Sequence, residues 1–599
     1  MPNWRFAVVA ALLAVGCTPP EEARDGATVT DGDDVAAGEE LPNLFGIDAR
    51  GFRRPLPFGG EEGLVNTNPP ITPSWPALQE GIERFAIRYG SETERIVFDP
   101  SKSRVYAPGW FTIAGNEQEV ELRRRGDSAR FHPKSSWKVK LPDGQTYRGQ
   151  RRFNFLAEWL DGGILSDMFS YPLFEGFGVI APRTRYVLLH VNGRHEGLFV
   201  EAQQVDKHFL RFHRIDEDAS IYRCGSKDCE LKITPPAHYQ KPFAKKTNEE
   251  LPNDDLEKFL WEISRTPEGE FEAWASRTLD LDPLLRTLAL YAVIGMYGID
   301  DSGSYLIHDF RRDKWLFVPW DLNNARLLLY RGTSPTSGPR VTRPIPVYTA
   351  YDSEMIRTYE HKQQKYGGAH LPWNVLFTRL WDRPVFRHRI LDYTEELMAT
   401  LFSEAEAHAR IDAQYRLIAS ELRRDPYVSQ SDAARAPKYL KDFVTGRNAF
   451  LRTELPKARR HGEGGVVINA LGMPGSGRTD ERGEADGWIE LYNREDQPVD
   501  VGGMVLTNVL RQQFKYRLPS GLVVPPKGTL VLWADGQTGQ GRAHLPFTLD
   551  ATGGELGLFD GRSMTGVLDL TFYAPMSNGQ VYARSPDGSE TWRFRSPGQ

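Results

Sequence analysis

The sequence predicts an α+β domain followed by an all-β sandwich. Three observations carry this expectation. From about residue 81 to 458, strands and then helices follow in one uninterrupted region. Lys457–Gly465 then breaks the pattern with charge and glycine, as a linker would. Beyond residue 466, short alternating strands separated by Gly/Pro turns run to the end, the pattern of a β-sandwich. The chain has 599 residues. A single core stops growing at about 250–300 residues, so at least two domains are expected.

The net charge of −6 excludes the basic footprint of a nucleic-acid partner. Short basic runs such as Arg123-Arg124-Arg125 read as a solvated face or a strand edge. At the N-terminus, Met1–Arg5 carries one positive side chain. Phe6–Val15 is an apolar run of signal-peptide length, too short to span a bilayer. Ala14-Val15-Gly16-Cys17 resembles a lipobox. That resemblance makes residues 1–16 a signal peptide and Cys17 a lipidated N-terminus; the alternative is a plain secretory signal. By similarity to lipoprotein sorting, Thr18 favours the outer membrane. The expected location is the bacterial cell envelope, outside the cytoplasm, with membrane contact through the lipid.

Residues 17–80 read as the lipidated Cys, a flexible tether and an irregular lead-in. The stretch 18–44 has almost no large apolar residues and cannot offset the entropy of its own ordering. Only two further cysteines exist, Cys224 and Cys229. In an exported chain they read as a local disulfide. A metal site there would need partners at ligand spacing, and none is nearby.

Within 81–458, a strand is expected at Val120–Arg124. Another follows at Trp137–Leu141, with Trp137, Val139 and Leu141 facing a core and Lys138 and Lys140 facing away. Tyr186–Val191, the Asn192-Gly193 turn and Gly197–Glu201 form a hairpin. A helix is expected over Val205–Phe212. Asp282-Pro283 reads as the N-cap and first position of a buried helix running to Met296. Asp300 and Asp301 follow in a loop. Ser304–Asp309 and Trp315–Trp320 then form a second hairpin, closed by Asp321. In an antiparallel pair, the start of one strand lies beside the end of the other. Asp300 or Asp301 should therefore lie near Asp321. Carboxylates brought together need a cation or a shared proton, and a phosphate-bound divalent metal is one compensator. Protein kinases use this order of catalytic Asp, hairpin and metal-binding Asp; turn-capping aspartates would look the same locally.

Over about residues 85–455, the sequence resembles the CotH spore-coat kinase family. The motifs are Gly126-Asp127-Ser128 leading to Lys134 and Trp137-Lys138, the hairpin Val191-Asn192-Gly193 to Phe199, and Pro319-Trp320-Asp321-Leu322-Asn323. The resemblance implies an atypical protein-kinase-like fold. It makes Asp300 the catalytic residue, Asp321 the metal ligand with Asn323 beside it, and Lys134 or Lys138 the phosphate contact. Three positions depart from the family pattern: Ser304 replaces an Asn, Asn323 an Asp and Gln203 a Glu. Residues 466–598 resemble the lamin-tail family through Val466–Ala470, Trp488-Ile489-Glu490-Leu491-Tyr492-Asn493 and Ser596-Pro597-Gly598. The resemblance implies an Ig-like sandwich, in which Trp488 and Leu491 read as core.

The function these resemblances imply is phosphotransfer from ATP, with Mg²⁺ or Mn²⁺, to Ser or Thr of an exported or surface protein. ATP is scarce outside the cytoplasm. The alternative is therefore a non-catalytic surface protein using a kinase-like fold for binding or adhesion.

Overall fold

The computed structural model describes residues 71–102, 104–126, 129–224, 231, 243–296, 304–342, 345, 374–461, 464–510, 515–561 and 566–595. Cys17, Cys229, Asp300 and Asp301 lie outside the described residues.

Seven strands form the first layer: β1 (Glu83–Arg88), β2 (Ala107–Ile113), β3 (Asn116–Arg125), β4 (Ser136–Lys140), β5 (Arg152–Leu156), β6 (Thr184–Val191) and β7 (Arg194–Gln203). They close into a barrel in the order β1-β2-β3-β4-β5-β7-β6. A parallel β1–β6 pairing, with Glu83 beside Val187, shuts it. The inward-facing positions explain the closure. Trp137 and Val139 of β4 point inside, and Leu141 follows just beyond, together with Phe85, Phe111, Phe153, Phe155 and Phe199. The rings of Phe85 and Phe111 stack with centroids 5.2 Å apart. A barrel this narrow holds side chains and no ligand. At the β6–β7 turn, Asn192 and Gly193 take φ of 49° and 78°. Positive φ at both positions is what a type I′ turn requires.

A four-stranded sheet follows, in the order β11-β10-β8-β9, from β8 (Ser220–Cys224), β9 (Phe243–Lys245), β10 (Ser304–Asp309) and β11 (Lys314–Pro319). The expected β10–β11 hairpin is present, with Ser304 opposite Pro319 and Asp309 opposite Lys314. Helices pack around it. Leu281–Ile294 is buried on every side and ends at Gly295, which takes φ 64°. A helix apolar all round belongs inside a core. Its start differs from expectation. Asp280 occupies the N-cap position without a side-chain cap bond, and Asp282 lies inside the first turn. The carboxylate of Asp282 instead accepts from Arg286 Nε at 3.0 Å and from the Tyr393 hydroxyl. Pro283 permits this shift, because proline is tolerated anywhere in a first turn.

The C-terminal region is a sandwich. One sheet runs β18-β13-β12-β21-β22 and the other β16-β15-β19-β20, with β14 paired to β17. The strands are β12 (Val466–Gly472), β13 (Trp488–Asn493), β14 (Val499–Asp500), β15 (Val505–Thr507), β16 (Tyr516–Arg517), β17 (Val523–Val524), β18 (Thr529–Trp533), β19 (Gly554–Asp560), β20 (Gly566–Tyr573), β21 (Val581–Arg584) and β22 (Trp592–Arg595). Ile468, Ile489, Leu491, Leu532, Leu556 and Leu558 fill the space between the sheets. Trp488 is also buried, in a smaller cluster with Trp533.

The expected linker is shorter than the sequence suggests. The last helix, Gln430–Arg459, takes in Lys457 and Arg459. The sandwich is also docked. Val505, Leu510, Phe559, Leu570 and Phe572 join the helical core of the first domain. At the same junction, the buried Glu268 carboxylate takes Arg379 at 3.2 Å, Arg383, and the backbone N–H of Phe572 at 3.2 Å. Among the described residues no helix is long and apolar enough to cross a membrane.

Candidate functional site

Two strands end in acidic residues that turn sharply. Glu158 follows β5 with φ 44°, and Asp321 follows β11 with φ 60°. Left-handed backbone is uncommon outside glycine and concentrates at sites where the surroundings enforce it. The Asp321 N–H donates to the Tyr171 hydroxyl at 3.2 Å. Tyr171 belongs to the helix Ser166–Gly176, whose first turn carries Asp167. Asn323, in the short 3-10 turn after Asp321, donates its amide N–H to Glu158 Oε2 at 3.4 Å. Asp161 accepts from the backbone N–H groups of Gly163, Leu165 and Ser166 at 2.8–2.9 Å. It thereby fixes the loop that leads into the helix.

These carboxylates perturb one another. Burial, then the charges of Asp161 and Asp321, push the Glu158 carboxyl up to about 7. Burial, then Glu158, Asp321 and Asp161, raise Asp167 well above the carboxylate range. Asp167 is 3% exposed, and its Oδ1 has no hydrogen-bond partner. A buried carboxylate oxygen left unpaired costs about 1–3 kcal/mol, more when charged. A cation bound among these side chains would remove that cost. Arg125, at the end of β3, is the basic group that offsets the cluster, lowering both Glu158 and Asp167. Burial and the nearby Arg223 bring its own guanidinium down to about 10. The donor set is carboxylate oxygens, one of them unpartnered, beside a guanidinium. These are hard oxygen donors of the kind a divalent ion carrying phosphates takes, but among the described residues no three of these carboxylates bring oxygens within 4.8 Å of one another.

The basic run is therefore not a solvated face. The guanidinium groups of Arg123, Arg124 and Arg125 lie 5.2, 4.5 and 5.5 Å from the ring centroids of Tyr106, Phe98 and Trp320. Aromatic faces attract these cations and hold them against the protein.

The whole cluster, from Arg125 to Asn323, lies inside residues 122–451, which match the family model described as CotH kinase protein over more than half of the chain. The chain belongs to the CotH kinase family. Residues 459–574 match the Lamin Tail Domain model. The chain is 22% identical over 360 residues to the inner spore coat protein H of Bacillus subtilis, covering 58% of this chain and 90% of that protein. The structure of the Helicobacter pylori proinflammatory kinase CtkA aligns with a TM-score of 0.26 and 8% identity, over 54% of this chain and 94% of the other. Overlap of that size bears on neither fold nor function.

Of the residues predicted from sequence, Asp321 and Asn323 are brought together with Glu158. Asp300 lies outside the described residues. The Lys134 ammonium is engaged elsewhere. It is 1% exposed, donates to the Leu198 carbonyl, and pairs with Asp425 at 2.8 Å. Lys138 is on the outward face of β4 between Arg123 and Asn154, and is 6% exposed. Glu201 is held by Arg185 at 2.6 Å, and Gln203 accepts from the Arg183 N–H at 3.3 Å. Cys224 is in a disulfide, and Cys229 lies outside the described residues. Sequence reasoning passed over Glu158, Asp161 and Asp167. The available signal was acidic residues at the exit of one strand and the entry of the next helix.

Proposed function

We propose that this CotH protein is an atypical protein kinase that transfers the γ-phosphoryl group of ATP to a Ser or Thr hydroxyl of an exported or surface protein. The observation that carries this reading is the convergence of Glu158, Asp167 and Asp321, with one carboxylate oxygen of Asp167 unpartnered. Asp167 and Asp321 would hold Mg²⁺ or Mn²⁺ on the phosphates, and Asn323 orients Glu158. When bound, the ion supplies neutralisation of phosphate charge. Arg125 supports the same role, as does Lys138; Lys134 is a structural cross-link. Asp300, four positions before Ser304, takes the hydroxyl proton as the substrate oxygen bonds to phosphorus and the bond to ADP breaks. We further propose that the chain is exported and anchored in the bacterial envelope through a lipid on Cys17.

The test is nucleotide titration and radiolabel transfer on the purified chain with Mg²⁺ and with Mn²⁺. Asp167→Asn and Asp321→Asn should each weaken metal-nucleotide binding at least tenfold. Wild-type protein that binds no nucleotide with either metal would reject catalysis and leave a binding or adhesion module.

A further inference from the structure

The sandwich domain holds a second acidic constellation that phosphotransfer does not use. Strands β13 and β18 are hydrogen-bonded neighbours, with Trp488 opposite Trp533. Asp486 precedes the first tryptophan by two residues and Asp535 follows the second by two. The antiparallel pairing therefore brings both aspartates out at one end of the ladder. The loop between β12 and β13 folds back on itself there, through Gly475 N–H to Ala485 O at 2.9 Å and Asp480 N–H to Glu484 O at 3.0 Å. This delivers Asp480. One carboxylate oxygen from each of Asp480, Asp486 and Asp535 lies within 4.8 Å of the other two.

The side chains are aimed and incompletely satisfied. Asp480 is 8% exposed. Its Oδ1 accepts from the backbone N–H groups of Arg482 and Glu484 at 2.9 and 2.8 Å, which fixes the carboxylate. Its Oδ2 is buried without a partner, and so is Oδ2 of Asp486. The Asp535 side chain is fully buried. Its Oδ1 accepts from Gln537 N–H at 2.8 Å, and its Oδ2 lies 2.5 Å from His544 Nδ1. The other nitrogen of His544 contacts Glu481 at 3.0 Å. Among the described residues, no Lys or Arg pairs with the three aspartates.

We propose that Asp480, Asp486 and Asp535 form a Ca²⁺ site. The ligands are all oxygen, as a hard cation requires. Both nitrogens of His544 are already engaged by carboxylates, so the ring orients Asp535 and does not coordinate. Opposite ligands of a Ca²⁺ ion stand about 4.8 Å apart, twice a bond of about 2.4 Å, so the three oxygens fit one coordination shell. Water completes it. Mg²⁺ demands a tighter octahedron and sheds its water reluctantly, which suits three carboxylates from two separate segments less well. The ion ties the 473–487 loop to the end of β18.

The experiment uses the full chain carrying Asp167→Asn and Asp321→Asn, so that the first-domain cluster does not contribute. Tb³⁺ reports occupancy by energy transfer from Trp488 and Trp533. Sensitised emission should saturate and be displaced by Ca²⁺, and millimolar Ca²⁺ should raise the melting temperature. Adding Asp480→Asn with Asp486→Asn should weaken Ca²⁺ binding at least tenfold, while Asp496→Asn, at an exposed position of the same domain away from the three aspartates, should change it less than twofold. Absence of both sensitised emission and a Ca²⁺-dependent melting shift in the parent would overturn the proposal, whatever the variants do. So would emission that survives unchanged in the double aspartate variant.

Discussion

The side-chain amide of Asn323 donates to the carboxylate of Glu158 across 3.4 Å. The resemblance to the CotH family implies a second aspartate at the position of Asn323. The amide supplies a donor where a carboxylate would supply a like charge. Asn323→Asp should therefore destabilise the metal-free protein by about 1–3 kcal/mol, since it replaces a donor to a buried acceptor with repulsion. Mn²⁺ should restore most of the loss. Melting curves with and without Mn²⁺ check this; an unchanged metal-free curve would count against the contact.

Glu158 also sets a pH dependence. Its carboxyl sits at about 7 in the folded protein, against an ordinary 4.5. Between those values the native state holds a proton that the unfolded chain has released. Its contribution is fully present below about 4.5 and is lost as pH rises through about 7. Ionised Glu158 adds negative charge beside Asp167 and Asp321, so metal-nucleotide affinity should climb between about pH 6 and 8, as stability of the metal-free protein falls. Glu158→Gln should flatten both trends in urea unfolding and in nucleotide titration.

Lys134 and Asp425 form a buried pair between the barrel and the segment that follows the helix Glu404–Arg424. Lys134→Met leaves the Asp425 charge uncompensated and should cost about 3–5 kcal/mol. Nucleotide affinity of the molecules that remain folded should change less than threefold. Lys138→Met should instead weaken nucleotide binding. Denaturation midpoints and titrations on both variants separate the roles.

Glu268 reaches the sandwich by accepting from the Phe572 N–H, while Arg379 and Arg383 hold its carboxylate from within the first domain. Glu268→Gln leaves two buried guanidinium groups short of a countercharge and should cost about 3–5 kcal/mol. A fragment starting at Gly464 keeps its own core and should give a dispersed β-type amide spectrum. It also uncovers Val505, Leu510, Phe559, Leu570 and Phe572, which the first domain buries. It should therefore self-associate in sizing experiments, and a clean monomer would show that this apolar face is tolerated in water.

If Cys17 carries lipid, Cys17→Ser should move the protein out of the detergent phase or leave it uncleaved. Partitioning identical to that of wild type would remove the anchor.

Local patterns were legible because their causes are local. The alternation in β4, the positive φ of Asn192 and Gly193, the stop at Gly295 and the β10–β11 hairpin each follow from a few consecutive residues. The sequence by itself therefore determined these local elements and the family. Tertiary structure decided the rest. The barrel closes only when β1 meets β6. Lys134 is drawn to Asp425, 291 positions away. Glu158, Asp167 and Asp321 perturb one another's carboxyls because the end of β5, the start of a helix and the end of β11 converge. No periodicity distinguishes an acidic side chain facing water from one facing another carboxylate. The difference lies in burial and charge proximity, which exist only once the chain has folded.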